Sequence, residues 1–140
     1  MSSTTWLPST GPGYLPYYLF INGLLCWYNT LQCFGVFPSQ IHLQYSGPAA
    51  AKQVTGLSAR TFGSWTILCG FVRVYAAYYV TDAPIYVLGV VAYVAILWHY
   101  AVELLVFETI RWDLRAKVSF ATDIVGLLWM VGGWGYGWYP

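Results

Sequence analysis

The sequence predicts an all-α fold, a bundle of four transmembrane helices that forms a single membrane domain over residues 1–140. Three observations carry this expectation. Residues are 59% hydrophobic and 8% charged, whereas about a quarter are charged in soluble domains, so too little polar surface exists to cover a soluble core. Four apolar runs lie at about 15–37, 58–80, 84–107 and 118–136, and each approaches the roughly 20 residues, at about 1.5 Å rise, that cross a hydrocarbon core of about 30 Å. Finally, basic residues are segregated onto alternate loops, as in multi-pass chains.

The first run has Pro16 in its opening turn, where a missing N–H is harmless. The residues before it contain no Lys or Arg, unlike the charged start of a cleavable signal, so the run is expected to stay as an anchor. The second run opens behind the longest polar stretch, with Ser58 as its expected N-cap. The third has Pro84 in its first turn and Asp82 or Ala83 as its cap. The connection 81–83 is so short that the second and third helices must be antiparallel neighbours. Counting back from that turn sets Glu103 level with Phe62, within a turn of Arg60, and Arg73 level with Ala92. Before the fourth run, Glu108 with Arg111, Arg111 with Arg115 and Asp113 with Lys117 stand at helical spacing, which suggests that the third helix extends into solvent. In the first loop, Ile41, Leu43 and Tyr45 alternate with Gln40, His42 and Gln44, a pattern suited to a short strand or to a segment on the membrane surface.

Of the 6 basic residues, Lys52, Arg60, Arg111, Arg115 and Lys117 belong to the first and third loops or their mouths. The positive-inside rule therefore places loops 38–57 and 108–117 in the cytosol and both termini on the opposite face. Tyr14, Tyr17, Tyr18, Tyr78, Tyr79, Tyr86, Trp134, Tyr136, Trp138 and Tyr139 would then form an aromatic belt at the non-cytosolic interface.

Each run carries one stripe of small or polar residues. In the second it is Ala59, Gly63, Thr66, Gly70, Arg73 and Ala77; the first offers Asn22, Cys26, Asn29 and Cys33, the third Gly89, Ala92, Ile96, His99 and Glu103, and the fourth Asp123, Gly126, Met130, Gly133 and Gly137. Small residues let backbones approach and polar ones find partners away from lipid, so the stripes should face one another or a partner helix, a second copy of the chain included. An unpaired Arg in mid-membrane costs at least about 2.5–3.5 kcal/mol, and Asn22 or a carbonyl is the expected acceptor for Arg73. His99 and Glu103 are the i, i+4 pair within a span, and either an acid–base pair or a structural one, with Glu103 meeting Arg60 and Asp123 nearby, would suit them.

Other chemistries find no support. Cys26, Cys33 and Cys69 sit in apolar runs without metal-ligand spacing and read as small core residues. Two histidines on different segments cannot build a histidine-rich metal cluster, and no cofactor is expected. A net charge of +1 without a basic patch offers nothing to nucleic acid. Residues 132–137 are glycine-rich but lack the frame of a dinucleotide loop; close packing or a flexible end is the expectation there.

The stretch 57–66, Leu-Ser-Ala-Arg-Thr-Phe-Gly-Ser-Trp-Thr, resembles the signature of the ergosterol biosynthetic protein 28 family. Further matches follow in order: Gly13-Tyr14-Leu15-Pro16 leading into Leu19-Phe20-Ile21, then Asn29-Thr30-Leu31-Gln32, His99 through Glu103-Leu104-Leu105-Val106-Phe107, and Leu128-Trp129-Met130. Glu108 departs from the basic residue expected after Phe107, and the chain closes Trp138-Tyr139-Pro140 in place of a charged tail. The resemblance implies a non-enzymatic scaffold of the endoplasmic reticulum membrane, in which the face opposite the cytosol, where the basic-residue count puts both termini, would be the lumen. Its partners would be the sterol C-4 methyl oxidase, the C-3 sterol dehydrogenase/decarboxylase and the 3-ketosteroid reductase, besides membrane lipid. The alternative is a sterol-binding protein or a membrane sterol isomerase that uses Glu103 and His99.

Overall fold

The computed structural model describes residues 6–36 and 41–140. Every element among them is helical. Four are long: α1 (Leu15–Cys33), α3 (Gly56–Tyr78), α4 (Ala83–Leu105) and α5 (Leu114–Gly135); α2 (Ile41–Gln44) and a 3₁₀ turn (Ala50–Lys52) lie between the first two. Of these, α4 and α5 are long and apolar enough to cross a membrane. Helix α1 packs along α3, α3 beside α4 and α4 beside α5, while α1 meets α5 only briefly.

The ends follow local chemistry. Thr55 caps α3, with its hydroxyl accepting from the Ser58 N–H while the Ser58 hydroxyl accepts from the Thr55 N–H. Ser58 is therefore the third-position partner of a reciprocal capping box instead of the cap itself. Asp82 caps α4 through Ile85 N at 3.1 Å. Helix α5 begins at Leu114, four residues before the expected 118, because the Asp113 carboxylate accepts from the N–H groups of Arg115 and Ala116, each at 3.0 Å. That cap also rules out a continuous solvent extension of the third span. Helix α4 stops at Leu105, Glu108 takes a φ of 54°, and Thr109 N donates back to the Glu103 carbonyl at 2.9 Å, the reversed turn that commonly closes a helix. The expected end of the first span at Phe37, and Gln40 of the alternating segment, lie outside the described residues.

The interior has three layers. One apolar cluster holds Leu15, Leu19, Ala76, Ala77, Tyr86, Tyr93, Met130 and Tyr139. A second holds Cys33, Ile41, Tyr45, Ala59, Ile96, Tyr100, Ile110 and Ala116. Between them come the buried polar residues Asn22 of α1, Thr66 and Arg73 of α3 and Asp123 of α5. Tyr86 and Tyr139, expected in the interfacial belt, are instead core residues: the Tyr86 hydroxyl donates to the Met130 carbonyl at 2.6 Å, and the Tyr139 ring stacks on it at 5.5 Å. The positive φ of Gly137, 70°, turns the chain end back so that Tyr139 covers Gly133. The glycine-rich end is thus a packed joint at Gly133.

Helices α1 and α3 approach most closely at two glycines. A Cβ on Gly23 would stand 2.9 Å from the Gly70 carbonyl oxygen, and one on Gly70 would stand 3.1 Å from that of Gly23 and 2.5 Å from the Trp27 ring. Thr30 Oγ1 bridges the same helices, donating at 3.2 Å to the Gly63 carbonyl, the small-residue and hydroxyl packing typical of helices that associate in lipid.

Candidate functional site

Arg73 and Asp123 form the centre of the polar layer. Arg73 Nη2 donates to Asp123 Oδ1 at 2.6 Å, with the two side chains 4% and 8% exposed. Arg73 Nη1 reaches Cys26 Sγ at 3.5 Å, and the guanidinium lies 4.1 Å from the centre of the Tyr93 ring. Helical spacing explains how α3 delivers Arg73 to this layer: Ala59, Gly63, Thr66, Gly70, Arg73 and Ala77 are all buried on one face, and Gly63 and Gly70 of that face meet α1 at Cys33 and Trp27. The acceptor is not the one expected. Asn22 Nδ2 donates instead to the Tyr18 carbonyl of its own helix at 2.8 Å, because a short amide one turn along closes a local bond, whereas a carboxylate compensates the guanidinium charge. Asn29, half-buried on α1, accepts from Cys33 Sγ at 3.7 Å.

His99 and Glu103 line a cavity of about 160 Å³ with Tyr45, Phe62, Ser58 and Thr109. They are brought together there, yet each bonds elsewhere. His99 Nε2 shares a hydrogen bond of 2.6 Å with the Tyr45 hydroxyl, amid the rings of Phe62 and Trp65. Glu103 Oε2 accepts from the Thr109 hydroxyl. Arg60 is exposed and makes no ion pair with Glu103, and Asp123 belongs to Arg73. The expected Glu103–Arg60–Asp123 grouping is therefore corrected: depth counting matched Glu103 to the mouth of α3, but Arg60 points off the buried face, while Thr109 is delivered to Glu103 by the turn that ends α4. Burial raises the Tyr45 phenol above its ordinary range, so it stays protonated.

Tyr45 arrives from the first loop, whose described residues form no strand, and His42 and Leu43 beside it are exposed. Its residues 41–44 make one helical turn, with Ile41 and Tyr45 buried. The loop then pairs with the third: Gly47 N donates to the Thr109 carbonyl at 2.8 Å and Ala49 N to that of Glu108 at 3.2 Å. A Cβ on Gly47 would stand 2.2 Å from the Glu108 oxygen, so this contact requires glycine. Sequence reasoning missed Tyr45, Gly23 and Tyr93. The i, i+4 relation of Ile41 to Tyr45 was the available signal for the first, and Gly23 beside Asn22 for the second; nothing local marks Tyr93. Among the described residues no three His, Cys, Asp or Glu side chains come together to hold a metal, and all three cysteines are free and buried.

The fold and its polar interior define a small all-helical protein, with two helices apolar enough to span a membrane and its deepest charges paired across the bundle. A family model described as "Erg28 like protein" matches residues 15–128, and the chain belongs to that family. It is 33% identical over 124 residues to the ergosterol biosynthetic protein 28 of Candida albicans, covering 89% of this chain and 88% of that one. The protein of the same name from Saccharomyces cerevisiae is 29% identical over 129 residues, 92% and 86% of the two chains. A Mus musculus protein named as a homologue is 35% identical over 81 residues, 58% of this chain and 56% of that one. No solved structure matches the chain.

Proposed function

We propose that this protein is a non-catalytic scaffold of sterol biosynthesis, a four-helix bundle in the endoplasmic reticulum membrane that tethers the C-4 methyl oxidase, the C-3 sterol dehydrogenase/decarboxylase and the 3-ketosteroid reductase. Family membership supports the pathway, since the fungal relatives are named ergosterol biosynthetic proteins. The observation that carries the scaffold reading is the division of labour among side chains. The deepest charged and acid–base groups are engaged within the chain, in Arg73–Asp123, His99–Tyr45 and Glu103–Thr109, while large apolar side chains such as Leu68, Phe71, Trp98 and Leu128 are exposed along the helices. Lipid and partner helices cover such faces. On this reading loops 38–57 and 108–117, locked together through Gly47, form one cytosolic docking surface, and both termini are lumenal. The small-residue seam of α3 is largely occupied by α1, so a homodimer would use another face.

Deleting the protein should reduce co-purification of the three enzymes and raise C-4-methylated intermediates, while each purified enzyme keeps its intrinsic activity. Conversion of a sterol by the purified chain alone would overturn the scaffold reading in favour of an isomerase. The cavity at His99 and Glu103 is the observation that favours that second reading. Glu103→Gln separates the two: it should leave abundance and enzyme recruitment largely intact if Glu103 serves only the Thr109 turn, and should abolish turnover if it is an acid.

A further inference from the structure

The cavity between the first loop, the start of α3 and the end of α4 has three rings in its wall. Tyr45, Phe62 and His99 all line it, and their centres form a nearly equilateral triangle: 5.6 Å from Tyr45 to Phe62, 5.9 Å from Phe62 to His99 and 6.0 Å from Tyr45 to His99. The Tyr45 and Phe62 planes stand at 81°. Glu103 supplies the charge in the same wall. Its Oε2 accepts from the Thr109 hydroxyl, whereas Oε1 makes no hydrogen bond or ion pair among the described residues and is not one of the unpaired side-chain atoms closed off from solvent. The carboxylate is therefore reachable and uncompensated. Entry is open too, because Gln53 of the wall is exposed and Phe62, His99 and Glu103 are half-buried.

We infer that this cavity binds the trimethylammonium head of a choline phospholipid, with the three rings and Glu103 Oε1 as its receptor. A half-buried carboxylate without a counter-charge calls for a cation, and a cation seated against the ring triangle lies within about 6 Å of all three centres, the reach of cation–π attraction. A bare metal ion is a poor occupant, since no three His, Cys, Asp or Glu side chains come together among the described residues. A primary ammonium brings three N–H donors, but the Ser58 and Thr109 hydroxyls already bond to Thr55 and Glu103, which leaves Oε1 and the Gln53 amide at the rim. A trimethylammonium group has no donor to satisfy, and its methyls would meet Ile41 and Val54. The volume of about 160 Å³, where one water occupies about 30 Å³, accommodates a nitrogen with its four carbon substituents. On the membrane reading, this end of α3 and α4 lies at the depth of the cytosolic headgroups. Only the choice of a lipid as the source of the ammonium rests on that reading.

The test is a saturation-transfer NMR titration of choline with the purified full chain in maltoside micelles, which contribute no ammonium group. Choline should bind at least about tenfold more tightly than its neutral isostere, in which carbon replaces the quaternary nitrogen. Glu103→Gln and Phe62→Leu should each weaken choline binding at least about fivefold without moving the unfolding midpoint. If Glu103→Gln does not fold, Phe62→Leu, which keeps an apolar side chain and leaves the carboxylate in place, gives the same reading. A short-chain phosphatidylcholine should displace choline, and the phosphatidylethanolamine of the same chains should do so at least about tenfold less well. Equal binding of the isostere, or unchanged choline binding in either folded variant, would overturn the cavity as an ammonium site. Choline that binds but is not displaced by phosphatidylcholine would overturn the lipid as its occupant. The micelles contain no sterol enzyme, so lost choline binding with recruitment intact refutes this site alone, whereas lost recruitment with choline still bound refutes the scaffold alone.

Discussion

Replacing Asp123 by Ala should destabilise this protein by about 3–5 kcal/mol, the usual cost of removing one partner from a buried ion pair. With charge centres about 4 Å apart and an effective dielectric of about 20, the lost attraction alone is about 4 kcal/mol. Arg73 cannot relieve the imbalance by losing its proton, and its remaining contacts are the Cys26 sulfur at 3.5 Å and the Tyr93 ring at 4.1 Å. The ring contact is made with or without the carboxylate, so it does not restore the lost attraction. Replacing both members, as Arg73→Met with Asp123→Leu, removes the desolvation cost together with the attraction and should cost about 0–2 kcal/mol. Unfolding in mixed micelles, followed by tryptophan fluorescence, measures each variant, and the double-mutant cycle should return a coupling of at least about 2 kcal/mol. A loss below about 1 kcal/mol in Asp123→Ala, or single losses that simply add in the double variant, would refute the pairing as the centre of the polar layer.

Gly70→Ala should cost about 1–3 kcal/mol by overpacking, since its Cβ would stand 2.5 Å from the Trp27 ring, whereas Gly132→Ala meets no atom within 4 Å and should leave the midpoint unchanged or raise stability by up to about 1 kcal/mol. Thr55→Ala removes the α3 cap and should lower stability by about 1 kcal/mol in the same unfolding assay. Tyr45→Phe loses the bond to His99, at about 0.5–1.5 kcal/mol. Gly47→Ala forces the first loop from the Glu108 carbonyl, and limited proteolysis at Lys52 should accelerate in both variants, more in the second.

The helical character of the chain and the approximate place of each long helix were legible because both depend on local quantities: composition, run length and the period of small residues. The stripe Ala59 to Ala77 was legible for the same reason, as a 3.6-residue period marks one face of a helix wherever that helix later packs. Cap residues were legible where the competing donors are local; Asp82 was one of two candidates, but Thr55 holds the cap position expected of Ser58, because two hydroxyls three apart each accept from the other's N–H. The Arg73 partner was not legible. Depth can be counted from a short turn, but which helix stands opposite at that depth cannot, and Asp123 lies 50 residues away.

By itself, then, the sequence determined an all-helical, apolar chain, the buried face of α3, and the need of Arg73 for an acceptor. Tertiary structure alone decided that α1 fills the glycine seam, that Asp123 supplies the carboxylate, and that the first loop folds inward to seat Tyr45 against His99. The division has one cause: periodicity and capping are properties of neighbouring residues, whereas partner choice across a bundle depends on how separate helices are turned about their axes, which no local pattern specifies.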